Sequence, residues 1–177
     1  MQRLVLVMSV VAFSLGMPAA PVMAQRPSPP AKSSCRFPDG KTITVDYSSP
    51  RVRGRKIFGA LVPYGKVWIL GANEATTFDT TAAVALGGKN VPAGNYTLYA
   101  IPTPKSWTLI LSTRIERGPM SYYPGERSDF ARVPMTVSNR PSKQEDFTIS
   151  FVPNGGACTM RVDWEMTRAS IAIEETK

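Results

Sequence analysis

The chain has 177 residues, 43% of them apolar, with 21 Lys and Arg against 13 Asp and Glu for a formal net charge of +8, and no histidine. That length suits one domain around one core. The missing histidine excludes Ser-His-Asp and Cys-His triads, histidine-ligated zinc or copper, and the usual side chain of a switch near neutral pH.

The N-terminus reads as a secretory signal. Arg3 supplies a positive start, an apolar stretch runs from Leu4 to Met17, and Val22-Met23-Ala24 fits the positions a signal peptidase reads, so cleavage is expected after Ala24. About 14 apolar residues are too few for the roughly 20 of a spanning helix, and no second run of that length follows. Residues 1–24 are therefore expected to leave a soluble periplasmic or secreted protein. Residues 25–34, "QRPSPPAKSS", hold no apolar side chain larger than Ala and read as a disordered tether. The domain is expected over residues 35–177. Its two cysteines, Cys35 and Cys158, are predicted to form a disulfide in an oxidising compartment; a redox pair is the alternative, without C-x-x-C spacing to favour it.

Residues 42–47 alternate polar and apolar side chains, as a half-buried strand does. Residues 56–61, "KIFGAL", have room for one helical turn before Pro63. Residues 95–101 and 106–112 are β-branched and aromatic runs separated by prolines, and read as a hairpin. Residues 114–130 carry two prolines and two glycines and read as a long loop. Phe147, Ile149 and Phe151, then Met160, Val162 and Trp164, alternate with polar residues around the turn signal Asn154-Gly155-Gly156. Ile171 and Ile173 repeat that pattern. Short strands at this spacing predict an all-β domain, a two-sheet antiparallel sandwich or jelly roll.

Residues 47–76, "YSSPRVRGRKIFGALVPYGKVWILGANEAT", carry a long signature: Tyr47, Ser48 and Pro50; then Gly54, Arg55, Ile57, Phe58, Gly59, Leu61 through Gly65, and Trp68; then Gly71 through Thr76. With the later "VPAGNYTLYAIP" and "WTLIL", this resembles the bacterial exported family called domain of unknown function 2911, over residues 40–173. Ile69 departs from the basic residue that the family often carries there. The resemblance implies an exported β-rich domain and no particular activity.

The corner at Asn73-Glu74 has two readings. In one it is a polar turn, with Glu74 paired to Arg51, Arg53 or Arg55. In the other, Arg55, Tyr64, Asn73 and Glu74 converge on a loop pocket for a small polar ligand or an envelope glycan, Asn offering donor and acceptor, Glu an anionic acceptor, Arg a forked cation. A histidine-independent hydrolase using Glu74 as acid/base is the enzymatic alternative. The cationic run at residues 51–56 is either a solvated loop or a contact for anionic envelope polymers. Trp68, Trp107 and Trp164 are core candidates by position and sugar-stacking candidates by chemistry. Tyr64, Tyr122 and Tyr123 read as exposed aromatics, and Glu145-Asp146 as a solvent cap. No metal, cofactor, nucleic-acid partner or membrane span is expected.

Overall fold

The computed structural model describes residues 27–115 and 122–176. Among them there are nine strands and no α-helix: β1 (Pro30–Arg36), β2 (Thr42–Ser48), β3 (Thr76–Thr80), β4 (Val84–Leu86), β5 (Lys89–Val91), β6 (Gly94–Pro102), β7 (Ser106–Ser112), β8 (Asp129–Asn154) and β9 (Ala157–Glu175). All pair antiparallel in one ladder ordered β1-β2-β3-β6-β7-β8-β9-β4-β5. The expected all-β antiparallel fold is present. The expected two sheets do not appear as separate ladders, because β8 is long enough to pair with β7 through its first half and with β9 from Thr136 onward. No helix among the described residues is long and apolar enough to cross a membrane.

The alternation read from the sequence sets the core face of each strand. Ile43 and Val45 of β2, Phe78 of β3, Leu98 of β6, and Met160 and Val162 of β9 have essentially no exposed surface. At the centre sits an aromatic cluster. Trp68 and Trp164 stack with centroids 5.9 Å apart and planes 16° apart. Phe58 packs on Trp107 at 4.9 Å, and Phe147 meets Trp164 edge-on at 5.6 Å. Rings in these arrangements add to area burial. Trp107 and Trp164 are 2% exposed, so both are core residues; Trp68 is half-buried.

Contacts between strands that are not ladder neighbours bring β1 and β2 against the far half of β8 and β9. The Cys35–Cys158 disulfide joins β1 to β9. The Tyr47 hydroxyl donates to the Ile149 carbonyl at 3.3 Å, the Ser49 hydroxyl to the Phe147 carbonyl at 2.7 Å, and the Phe147 amide to the Pro50 carbonyl at 2.8 Å. The last contact lies where β8 leaves its register with β9: the pairing jumps between Asn139 and Gln144 and again between Gln144 and Thr148. Such bulges bend a strand and re-aim its side chains. Opposite them Glu165 takes a left-handed φ of 56°, and its carboxylate accepts the Ile57 amide at 3.3 Å.

Two expectations need correction. Pro30 through Ser34 do not belong to a disordered tether; they form most of β1, paired from Pro30 with Ser48 to Arg36 with Thr42. The small residues that made the segment look solvated suit an end strand whose stabilisation comes from the backbone ladder. Residues 56–61 form no helical turn. They close as a tight loop, with Val62 N–H on the Ile57 carbonyl at 3.0 Å and Gly59 N–H on the Val62 carbonyl at 2.9 Å. The signal segment, residues 1–24, and residues 116–121 of the expected loop lie outside the described residues.

The β4–β5 hairpin turns on Gly87 and Gly88, with φ of 56° and 80°, the two positive values a two-residue hairpin turn requires. A Cβ on Gly87 would lie 2.9 Å from Val133 Cβ, whereas one on Gly88 meets nothing within 4 Å. Gly87→Ala is therefore expected to cost about 2 kcal/mol and Gly88→Ala about 1 kcal/mol, the second carrying backbone strain alone. Urea denaturation of the two variants checks this; equal losses would remove the packing argument.

Candidate functional site

The corner that follows Trp68 is wound tightly. Trp68 exchanges both backbone bonds with Ala100, at 2.8 and 2.9 Å, and its indole N–H donates to the Gly71 carbonyl at 3.0 Å. Leu70 and Asn73 take left-handed φ values of 52° and 61°. The Thr76 hydroxyl closes the turn on the Leu70 carbonyl at 2.7 Å. Gly71 lets the backbones approach closely here, since a Cβ would sit 3.1 Å from both the Ser48 carbonyl oxygen and the Thr76 hydroxyl.

This winding separates the four residues expected to converge. Asn73 sends its amide N–H to the Ser28 carbonyl at 3.1 Å. Glu74 turns the other way and accepts the Ser48 hydroxyl at 3.1 Å. It lines a cleft of about 450 Å³ with Asp46, Tyr47, Thr77, Asp79 and Asn95. Arg55 lines a second cleft of about 360 Å³, with Arg51, Arg53, Trp68, Ile69 and Trp164. Tyr64 lines neither; it is exposed, and its ring covers Gly59. The segment 27–30 divides the two hollows: Pro27 and Ser28 border the arginine cleft and Pro30 the acidic one.

In the acidic cleft Asp46 pairs with Lys32 at 3.2 Å. Burial pushes the Tyr47 phenol up, so it is a neutral hydroxyl at pH 7. Among the described residues no group of three or more His, Cys, Asp or Glu is placed to hold a metal ion.

The arginine cleft is built by the β8 bulge. Glu145 accepts the Val52 amide on its carbonyl at 2.9 Å and the Arg53 amide on its carboxylate at 2.7 Å. Asp146 holds the Arg51 guanidinium at 2.8 Å. The expected solvent cap at Glu145-Asp146 is thus the anchor of the arginine turn, which a bulge creates and an alternating pattern hides. Arg53 sits at φ 49° and Gly54 at 70°, a left-handed pair that splays the side chains of the run apart. Arg51 is neutralised by Asp146. Arg55 gives Nε to the Val52 carbonyl at 3.1 Å and Nη2 to the Arg51 carbonyl at 2.6 Å. Arg53 reaches only the Pro27 carbonyl, at 3.5 Å. Neither Arg53 nor Arg55 has a carboxylate partner among the described residues. Trp164 lines the same cleft. Its indole N–H is buried and is the one buried side-chain polar atom among the described residues with no hydrogen-bond partner.

The tyrosines of the long loop also divide. Tyr122 is exposed as expected. Tyr123 packs on Tyr99 at 5.2 Å, donates to the Asp129 carboxylate at 2.8 Å and accepts from Arg132 at 2.8 Å, so it belongs to a folded network and not to an open platform.

Residues 28–173 match a family model described as "Protein of unknown function (DUF2911)". The chain belongs to the DUF2911 family. That match spans β1 through most of β9, so the arginine turn, the Trp68 corner and both clefts lie inside the family domain. No curated protein and no solved structure matches the chain significantly. Missing from the sequence-based set are Arg53 as a cation with no carboxylate partner, and Trp164 as a donor with no acceptor, among the described residues. The cationic run was a visible signal for the first. Nothing in a sequence reports that an indole lacks an acceptor.

Proposed function

We propose that this DUF2911 protein is an exported β-sheet binding module whose ligand is a small polar molecule seated between Arg53, Arg55 and the Trp68–Trp164 stack. One observation carries the reading: a single cleft is lined by two arginines that have no carboxylate partner among the described residues and by Trp164, whose buried indole N–H has no acceptor among them. Buried donors are nearly always satisfied, and an exception calls for a missing partner. The Cys35–Cys158 disulfide favours an oxidising compartment, in keeping with the signal read in residues 1–24. Cross-links from β1 and β2 to β8 and β9 support a two-layer, sandwich-like packing of the bent sheet. An acid/base role for Glu74 has one point in its favour, the cleft it lines. Against it, the hydroxyl it holds belongs to Ser48, which is only 3% exposed.

Thermal melting across a panel of sugars, sugar acids and small carboxylates tests the binding reading. A ligand at 100 times its dissociation constant is expected to stabilise the fold by about 2.7 kcal/mol. That gain should vanish in Arg53→Ala with Arg55→Ala, two exposed positions whose loss leaves the core intact. A panel with no effect on the wild type would sink the proposal.

A further inference from the structure

Resting on that binding reading, we infer the ligand's chemical class: an organic oxyanion, carboxylate or phosphate, attached to a body with an apolar ring face. The charged side chains that line the cleft are all arginines. Three arginines and two tryptophans face it together with Pro50, Ile69 and Val62, and no Asp or Glu is among its lining residues. A ligand that satisfies donors without competing acceptors is an acceptor itself, and two uncompensated cations make it an anion. Donor counting sharpens the point. A guanidinium has five N–H groups in a planar fork. Arg55 commits two bonds to carbonyls and Arg53 one long one, so both retain a forked edge for an oxyanion, the geometry in which arginine binds carboxylate or phosphate most strongly. Arg51 does not take part in this; Asp146 occupies it and fixes the turn. The remaining wall is apolar, so the rest of the ligand presents a hydrocarbon or ring face to Trp68 and Ile69, as sugars and aromatic acids do. The acidic cleft is excluded as the anion's seat, since Asp46, Glu74 and Asp79 line it.

Titration calorimetry on the disulfide-intact chain separates the possibilities. The probes are glucuronate, glucose 1-phosphate and benzoate, with glucose and the methyl ester of glucuronate as uncharged controls. At least one anion is expected to bind, and to bind at least tenfold more tightly than the uncharged controls; which anion does so identifies a sugar acid, a sugar phosphate or an aromatic acid as the source. Affinity should fall as salt rises from 20 to 500 mM, because exposed charges are screened. Arg53→Gln with Arg55→Gln should weaken binding at least tenfold without moving the melting temperature, while Lys56→Gln, on the same run but outside the cleft lining, leaves it unchanged. Binding of glucose or the ester as tight as that of the anions, or salt-independent affinity, overturns the anion inference and leaves the binding reading standing. No binding by any probe, charged or not, overturns both.

Discussion

Replacing both cysteines, Cys35→Ala with Cys158→Ala, is expected to lower the unfolding free energy by about 5 kcal/mol and the melting temperature by roughly 10–20 °C. The bridge spans a sequence separation of 123 residues. On the chain-entropy account, a loop of that size removes more freedom from the unfolded ensemble than any shorter link in this chain would. It also joins β1, at one end of the ladder, to β9, whose ladder partners are β8 and β4. No backbone ladder makes that connection, and no other covalent link does. Both sulfurs are buried, at 4% and 1% residue exposure, which is why Ala is the cleaner substitution: Ser would bury a hydroxyl. Domains of this size have about 5–15 kcal/mol of stability in all, so the variant should sit near the edge of folding at 37 °C. Guanidinium denaturation of wild type and variant, with and without dithiothreitol, gives the number. Reduced wild type should fall to the variant's value. A variant within 1 kcal/mol of the oxidised wild type would show that the staple is not what holds the two ends of the sheet.

The sequence reveals strands where alternation is long and its residues are large. β2, β6, β7, the second half of β8 and most of β9 announce themselves through Val, Ile, Tyr, Phe and Trp on every second position. Three strands and the first part of a fourth are hidden, for three physical reasons. In β1 the inward positions are Ala31, Ser33 and Cys35, too small to stand out from a Pro/Ser-rich tail. β4 and β5 are three residues each, shorter than any period-2 window resolves. The first half of β8 carries Pro134, which argues against a central strand; yet at Pro134 β8 pairs with β7 alone, because pairing with β9 begins at Thr136, and a missing N–H on that side breaks no ladder bond. The site was legible as a list of residue types and not as a place. Whether Arg55 and Glu74 meet depends on the left-handed turns at Arg53, Leu70 and Asn73, and non-glycine residues in that conformation carry no sequence mark. Glu145 and Asp146 look like any solvated acidic pair until the bulge swings them under the arginine turn.

A buried charge sits against that bulge. Asp163 of β9 is 5% exposed, and its carboxylate holds Arg168 through two bonds, at 2.7 and 2.8 Å, and Arg140 at 2.6 Å. Arg140 belongs to the bulged stretch of β8, where it also reaches Gln144 at 3.3 Å. Burial alone would push the Asp163 carboxyl up, but the Arg168 and Arg140 guanidiniums outweigh it and hold it below the usual carboxylate range. Asp163→Asn keeps the shape and removes the charge, leaving two half-buried cations with weak acceptors. The expected cost is about 3 kcal/mol at pH 7, the low end for breaking a buried ion cluster, because Arg168 remains 29% exposed and is partly screened by water. The sign of the pH effect follows from the lowered carboxyl. Its folded value lies below its unfolded value of about 4, so the ionised group stabilises the fold above pH 4 and that contribution is lost as pH falls through the folded value. The gap between wild type and Asp163→Asn should therefore be full at pH 7 and narrow steadily below pH 4; a gap independent of pH would mean that packing, and not charge, sets the cost. The variant should also loosen what the bulge carries. Val52 and Arg53 donate their amides to Glu145, and Arg51 leans on Asp146, so the Val52 and Arg53 amides are expected to exchange hydrogen at least tenfold faster in Asp163→Asn, while amides in the β6–β7 hairpin slow or quicken only with global stability. Faster exchange confined to the arginine turn would tie the buried charge cluster directly to the geometry of the cleft.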